Sequence, residues 1–163
     1  MKIFLIIIFS IIAFPLNAQS RVSGIYYQSF GSELEVNQDF TFMYKWRFDL
    51  SSSWTKGKWK INNDTIYFTK IPVLDTLKYK HAKSLVTDSL VLSLDENAES
   101  ITTEEYISYQ LTSGGQNRHS MPNKLFYRNG RLYSIDEKGK LIKKKVEGFG
   151  TKKRFVPWYI IKQ

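Results

Sequence analysis

The chain has 163 residues and no cysteine, with 24 Lys and Arg against 15 Asp and Glu, and 15% of its residues are aromatic. The absence of cysteine excludes disulfides, thiolate metal sites, a cysteine nucleophile and lipid attachment through an N-terminal Cys. A chain of this length can bury a packed core as one domain, and no long stretch has the low hydrophobicity of a disordered segment.

The first eighteen residues have the pattern of a signal peptide. Lys2 gives a positive start, "IFLIIIFSIIAF" a short apolar core, Pro15 a helix break and Ala18 a small residue before the cut. Leu16, three residues before that cut, is bulkier than usual there. The apolar run falls short of the roughly 20 residues that span a bilayer, and no later segment is long and apolar enough to do so. The expectation is export to the periplasm or the medium, with one β-rich domain over residues 19–163. Loss of Lys2 lowers the net charge from +9 to +8.

From residue 24 onward the aromatic and β-branched residues come in short runs with polar breaks, which is an all-β signal. In "FTFMYKWRF", Phe40, Phe42, Tyr44, Trp46 and Phe48 share one face of an extended strand, and Thr41, Met43, Lys45 and Arg47 share the other. Leu34 and Val36 precede them. A three-residue loop, Asn37-Gln38-Asp39, pairs Val36 with Phe40 and keeps the apolar faces together. The polar break "LSSSWTK" reads as a connection, with Gly57 starting the return strand. A two-residue turn at Asn63-Asp64 pairs Trp59 with Phe68 and Ile61 with Ile66, since Asn and Asp tolerate positive φ.

The middle of the chain, Ile71 to Pro122, is less regular. "DSLVLSLD" reads as a strand and "SGGQNRHSMPN" as a long mobile loop. "ITTEEYISYQL" suits a helix or a strand equally. Further on, Asn129-Gly130 is a strong hairpin signal. Gly139 suits the left-handed position of a second turn, so Leu125 to Val146 reads as a three-stranded meander. "RFVPWYIIKQ" is a last strand in which Pro157 marks an edge or a start. The fold class is all-β: one antiparallel meander closed into a barrel of about eight strands, with a sandwich as the alternative.

"LEVNQDFTFMY", "GKWKINNDTIYF" and the final meander resemble small exported β-proteins of Bacteroidota, loosely lipocalin-like and mostly of unknown function. The resemblance covers Gly24–Lys70 and Leu125–Ile161. Gly57-Lys58-Trp59 is similar to the Gly-x-Trp signature of lipocalins. There the signature lies on the first strand and here it follows other strands, so no lipocalin ligand site is carried over. Asp64-Thr65-Ile66, Asp75-Thr76-Leu77 and Asp88-Ser89-Leu90 resemble the O-glycosylation sequon of exported Bacteroidota proteins. A turn residue opening a strand gives the same tripeptide. Asn63-Asp64-Thr65 also fits the N-glycosylation pattern.

The chemistry that the residues support is limited. His81 and His119 are the only histidines and lack ligand spacing. Asp95-Glu96-Asn97-Ala98-Glu99 lacks the ligand order of a Ca²⁺ loop and reads as a solvated turn. There is no Gly-x-Ser-x-Gly elbow and no phosphate-binding Gly loop. Neither a metal nor a cofactor is expected, and nucleic acid is an improbable partner for an exported chain.

Two leads remain. Lys143-Lys144-Lys145 and Lys152-Lys153-Arg154 flank a Gly-containing loop and suit an anionic envelope component, or else only solubilise an edge. Trp54 in the polar break and Trp158 beside Pro157 are candidate stacking residues, or else ordinary loop packing. The resulting expectation is a non-enzymatic exported or envelope-associated binding protein for an amphipathic or anionic ligand. Its candidate site residues are Trp54, Lys152, Lys153, Arg154 and Trp158. The alternatives are a hydrolase built around His81 or His119 and an interaction module pairing through an exposed edge strand. The processing expectation is checked by intact-mass measurement of protein from the native host. A mature chain starting within a few residues of Gln19 is expected, and retention of Met1–Ala18 would refute export.

Overall fold

The computed structural model describes residues 20–78, 88–111, 114–117, 120–148 and 150–162. Residues 1–18, with their signal-peptide pattern, and both histidines lie outside them.

Eight strands close into an antiparallel barrel. They are β1 (Gly24–Gln28), β2 (Ser32–Val36), β3 (Thr41–Phe48), β4 (Ser51–Asn62), β5 (Thr65–Ile71), β9 (Lys124–Arg128), β10 (Arg131–Ser134) and β13 (Tyr159–Ile161). Their order around the wall is β1-β13-β10-β9-β5-β4-β3-β2. Between β5 and β9 the chain forms a three-stranded sheet of β6 (Leu74–Lys78), β7 (Asp88–Leu92) and β8 (Ser100–Thr102), with β6 in the centre. A helix, α1 (Thr103–Gln110), follows β8. Between β10 and β13 lies a two-stranded hairpin of β11 (Val146–Glu147) and β12 (Arg154–Phe155).

Strand direction gives the barrel two unlike ends. One end carries the turns at 37–41, 63–64 and 129–130; the other carries the turns at 29–31 and 49–50 and both long excursions. These are called the hairpin end and the loop end. Val22, just before β1, is fully buried and its carbonyl accepts from the Tyr26 hydroxyl at 2.7 Å, so the segment just before β1 plugs the hairpin end. Arg21 pairs with Asp64 in the β4–β5 turn and lies 5.3 Å from the Tyr127 ring centroid, which holds the plug in place.

The interior is filled by side chains. Tyr26, Leu34, Val36, Phe42, Tyr44, Trp59, Ile66, Phe68, Leu125, Leu132 and Tyr159 alternate inward, and Met121 joins them from the connection before β9. An eight-stranded barrel is about wide enough for side chains to meet across its axis. Phe42 and Phe68, on the strands either side of β4, meet edge to face at 5.0 Å. Gly57 faces Phe42 across the β3–β4 pair. A Cβ there would lie 2.1 Å from the Thr69 carbonyl oxygen, so the close approach of β4 and β5 requires glycine.

The turn at Asn63-Asp64 is as expected, with φ of 46° and 58° and the pairs Asn62–Thr65, Ile61–Ile66 and Trp59–Phe68. The Asn129-Gly130 turn likewise pairs Arg128 with Arg131. The β2–β3 loop differs from expectation. Val36 pairs with Phe42 and Leu34 with Tyr44, two residues along from the expected register. An even shift keeps every face, so sequence alternation does not distinguish the two registers. The turn instead spans Asn37 to Phe40, with the Asn37 amide bonded to the Thr41 carbonyl at 2.9 Å and Phe40 at φ 65°. The Asp39 carboxylate accepts from the Thr41 hydroxyl and amide, and these bonds hold its pKa below the ordinary value. Phe40 is therefore exposed and not in the core; it leans on Trp59 at 5.3 Å.

Three further expectations are corrected, and one left open between helix and strand is decided. The polar break is the first half of β4, which starts at Ser51 after a turn at Asp49-Leu50. Residues 101–111 divide into the end of β8 and α1. Thr102 caps the helix with Glu105 in a reciprocal capping box, and those bonds lower the Glu105 pKa. The third strand of the C-terminal meander is reduced to an Ile135–Leu141 bridge, although Gly139 takes the expected left-handed position at φ 78°. The last strand is two: β12, then a break at Pro157, then β13.

Trp59 and Lys60 are adjacent on β4 and face opposite sides. Trp59→Ala should cost about 3–5 kcal/mol, and Lys60→Ala should stay within about 0.5 kcal/mol. A denaturant titration giving equal costs would contradict the inward and outward assignment.

Candidate functional site

At the loop end the barrel wall is notched between β1, β2, β3 and β4. The concavity holds about 480 Å³ and is lined by Tyr27, Trp46 and Trp54, by Gln28, Ser32 and Ser53, and by the charged residues Glu33, Lys45, Arg47 and Glu96. Ligand sites of about 300–1,000 Å³ that combine apolar walls with a few converging polar groups are typical of small-molecule binding.

The site follows from strand alternation at a rim. Trp46 and Ser53 are a cross-strand pair on the inner face, and Lys45 and Trp54 are the neighbouring pair on the outer face. Gly31 lets the β1–β2 turn come down onto β3. Its φ is 79°, its carbonyl accepts from the Arg47 amide at 3.0 Å, and a Cβ would lie 1.9 Å from the Arg47 carbonyl oxygen. The pocket floor is polar. Ser32 shares a hydrogen bond with the Tyr44 hydroxyl at 3.0 Å, and Tyr159 joins both. Among the described residues, Ser53 Oγ is the one buried side-chain oxygen or nitrogen without a partner. A buried hydroxyl left unsatisfied costs about 1–3 kcal/mol, which a ligand acceptor or donor would recover.

Trp54 is expected in the polar break between strands, either as a stacking residue or as ordinary loop packing. It lies within β4, is 8% exposed, and its indole nitrogen donates to the Leu94 carbonyl. The cover comes from residues 93–97 and 114–117. The Trp54 amide donates to Gly115 at 3.0 Å, and the Asn117 amide donates to Trp54 at 2.9 Å. Gln116 ties this layer to the three-stranded sheet, bonding both the amide and the carbonyl of Val73 and the carbonyl of Ser93. The described part of the expected mobile loop is thus fastened to the wall. The acidic turn is fastened too: Glu96 pairs with Lys45 at 3.4 Å, and Asp95 accepts from the Asn97 amide at 2.8 Å. No group of three His, Asp or Glu able to hold a metal occurs among the described residues.

The C-terminal basic residues divide between two places. Lys152, Lys153 and Arg154 are exposed on the β11–β12 hairpin. Arg154 pairs with Glu147 at 3.5 Å, and Lys153 lies over the Phe155 ring at 5.5 Å. Phe155 in turn meets Phe30 of the β1–β2 turn at 5.9 Å, so the hairpin lies against the loop end. Trp158 is on the outer wall and is half-buried. It packs on Tyr133 at 5.6 Å, with Arg131 5.9 Å from its centroid. The five expected residues do not form one site. Trp54 belongs to the mouth, Trp158 to the outer wall and the three cations to the hairpin. Tyr27, Trp46 and Ser53 escape sequence reasoning because the rim is where inner-face and outer-face residues meet.

Of the three Asp-Thr/Ser tripeptides, Thr65 and Thr76 sit on strands paired on both sides, and Asp75 is buried, accepting from the Glu99 amide at 2.9 Å. Ser89 lies on the edge strand β7. No family model, curated protein or solved structure matches this chain.

Tyr26 and Tyr159 have pKa values raised by burial, with Tyr127 adding to the first and Tyr44 to the second. In the unfolded chain both ionise near pH 10. Above that pH the folded state keeps protons that the unfolded state loses, so stability present below pH 10 falls as pH rises further. The melting temperature should decline steeply above about pH 10. Tyr159→Phe should be less stable at neutral pH and show a shallower alkaline decline. An unchanged slope in a pH series of thermal melts would contradict the role of Tyr159.

Proposed function

We propose that this protein is an exported, non-enzymatic binding protein that takes a small amphipathic ligand into the notch at the loop end of its barrel. The observation that carries this reading is the 480 Å³ concavity with Ser53 Oγ unpartnered beneath it. Tyr27, Trp46 and Trp54 supply apolar contact for the ligand body. Ser32, Ser53 and Gln28 supply donors and acceptors for its polar head. Lys45 and Arg47 on the rim favour a negative head over a positive one, although Glu33 and Glu96 temper that preference. Envelope association follows from the signal-peptide pattern of residues 1–18 and the basic balance of the chain. The hydrolase alternative depends on His81 and His119, which lie outside the described residues.

The test uses 1-anilinonaphthalene-8-sulfonate, an anionic amphiphile whose emission rises in apolar sites. Saturable enhancement is expected with the wild-type protein. Ser53→Leu, which fills the notch, and Trp46→Ala, which removes a wall, should each weaken it by about tenfold, or about 1.4 kcal/mol. Near-UV circular dichroism should show that both variants are folded. Undiminished binding by both folded variants would refute the mouth as the site.

A second reading, pairing through an exposed strand, is favoured by one observation: Leu90 and Leu92 are exposed on the edge strand β7. Sedimentation of the purified protein tests pairing between copies of this chain, which a strictly monomeric species at high concentration rules out.

A further inference from the structure

On the outer wall, away from the mouth, three cations surround two aromatic rings. The concavity there holds about 290 Å³ and is lined by Arg128, Asn129, Arg131, Tyr133, Lys143 and Trp158. Arg128 and Arg131 are directly opposite each other across the β9–β10 pair, one on each side of the Asn129-Gly130 turn. Leu132 and Leu125 point into the core, so by alternation both arginines point outward on one face. Lys143 arrives from a different segment. The Ile135–Leu141 bridge and the bond from the Ile142 amide to Ser134 turn the chain back over β10, and Lys143 Nζ lies 6.0 Å from the Tyr133 ring centroid.

Like charges directly opposite on neighbouring strands are destabilising. Elsewhere Arg21 is matched by Asp64 and Arg154 by Glu147, whereas Arg47 at the mouth stands without an ion pair among the described residues. Among the described residues, no carboxylate lies within ion-pair distance of Arg128, Arg131 or Lys143. The notch thus concentrates three unmatched positive charges over a floor formed by Tyr133, which is buried, and Trp158, which is half-buried. A guanidinium pair offers planar forks of donors to an anion with several oxygens, and a nearby ammonium adds a point charge. A carboxylate has two oxygens and a single charge. A phosphate monoester has three free oxygens and a charge near −2, which matches three cations better.

We propose that the notch formed by Arg128, Arg131, Lys143, Tyr133 and Trp158 binds a phosphate monoester whose organic body packs against Trp158. The phosphate lies between the two guanidiniums, and Lys143 closes the third side. The ester comes either from a soluble metabolite or from the headgroup of a phosphatidic-acid-type lipid. This site is independent of the mouth.

The experiment follows the Trp158 indole N–H in two-dimensional ¹H–¹⁵N spectra of the mature protein, assigned by its loss in Trp158→Phe. Titration with phenyl phosphate should shift that signal saturably and leave the Trp46 indole in place. Phenol should not shift it, and inorganic phosphate should do so more weakly. Arg131→Glu should weaken the phenyl phosphate interaction by at least about tenfold, and Arg131→Lys by less. In parallel, sedimentation with phosphatidylcholine vesicles containing phosphatidic acid or phosphatidylglycerol identifies the source. Phosphatidic acid vesicles pelleting the protein support a lipid ester. Binding of phenyl phosphate without pelleting supports a soluble one. Equal pelleting by phosphatidylglycerol at matched charge would overturn the monoester, because it would reveal attraction to charge alone. A phenyl phosphate shift confined to Trp46, or no shift at all, would overturn the site. A ligand-free measurement also bears on it: Arg128→Glu replaces repulsion across the strands with attraction and should raise the melting temperature. A decrease would contradict the electrostatic premise.

Discussion

The whole molecule depends on closure of the wall by a three-residue strand. β13 pairs with β1 through Tyr26–Ile161 and Tyr27–Ile160, and with β10 through Leu132–Tyr159 and Arg131–Ile160. Without it the sheet would have two free edges, which are templates for association with other chains. The flanking bonds extend the seam beyond the strand itself. The Lys162 amide donates to the Ile25 carbonyl at 2.8 Å, and the Gln28 side chain donates to the Pro157 carbonyl at 2.7 Å. Pro157 has no N–H to offer a ladder. Placing it just before β13 ends the β11–β12 excursion without leaving a donor unmatched inside the wall. Because closure joins residues near opposite ends of the chain, its entropic cost falls late and folding should be slow for a domain of this size.

Closure also explains where variation is tolerated. The hairpin end uses turns with steep backbone demands. Asn63, Asp64, Asn129 and Gly130 all have positive φ, and Val22, just before β1, is packed at the same end. The loop end accommodates two excursions and is the end where backbone is free to lengthen. Loops on a rigid scaffold are the usual carriers of binding function. Here the longer excursion folds back on the outer wall and buries Trp54, and the shorter one brings Lys143 over β10 and the β11–β12 hairpin against Phe30.

Much of the wall is legible in the sequence because alternation constrains a half-buried strand so strongly. Trp59, Ile61, Ile66 and Phe68 share a face in any register of the right parity, and Asn63 and Asp64, which tolerate positive φ, pick out the two-residue turn among them. The β2–β3 register is less legible because two registers keep the same faces. The choice falls to local chemistry, in which Asp39 holds Thr41 and Phe40 takes an unfavourable conformation against Trp59. Trp54 is misplaced by local reading for a different reason. Its partners, Leu94 and Gln116, lie far along the chain, and serines around it resemble a loop although β3 pairs with them. Trp158 is picked out by its place beside Pro157, but its cationic neighbours are not the adjacent Lys152, Lys153 and Arg154. Arg128 and Arg131 are in principle readable, since a two-residue Asn-Gly turn puts its flanking residues side by side. Lys143 is not, because only the fold brings it there.

The inner and outer faces of β9, β10 and β13 therefore carry separate demands. Leu125, Leu132 and Tyr159 must fill the barrel, and any polar replacement there would be buried without partners. Phe126, Arg128, Arg131, Tyr133 and Trp158 face outward and contribute little to closure. An outer face free of core duty would by default carry solubilising charges of both signs. This one instead groups three cations with two aromatics and no acid among the described residues. Solvation alone accounts poorly for that grouping, since dispersing the same charges would serve solubility equally and avoid placing two arginines opposite each other. A requirement to meet a multiply charged anion accounts for all of it: the like-charged pair, the third cation delivered by a separate turn, and the aromatic floor beneath them.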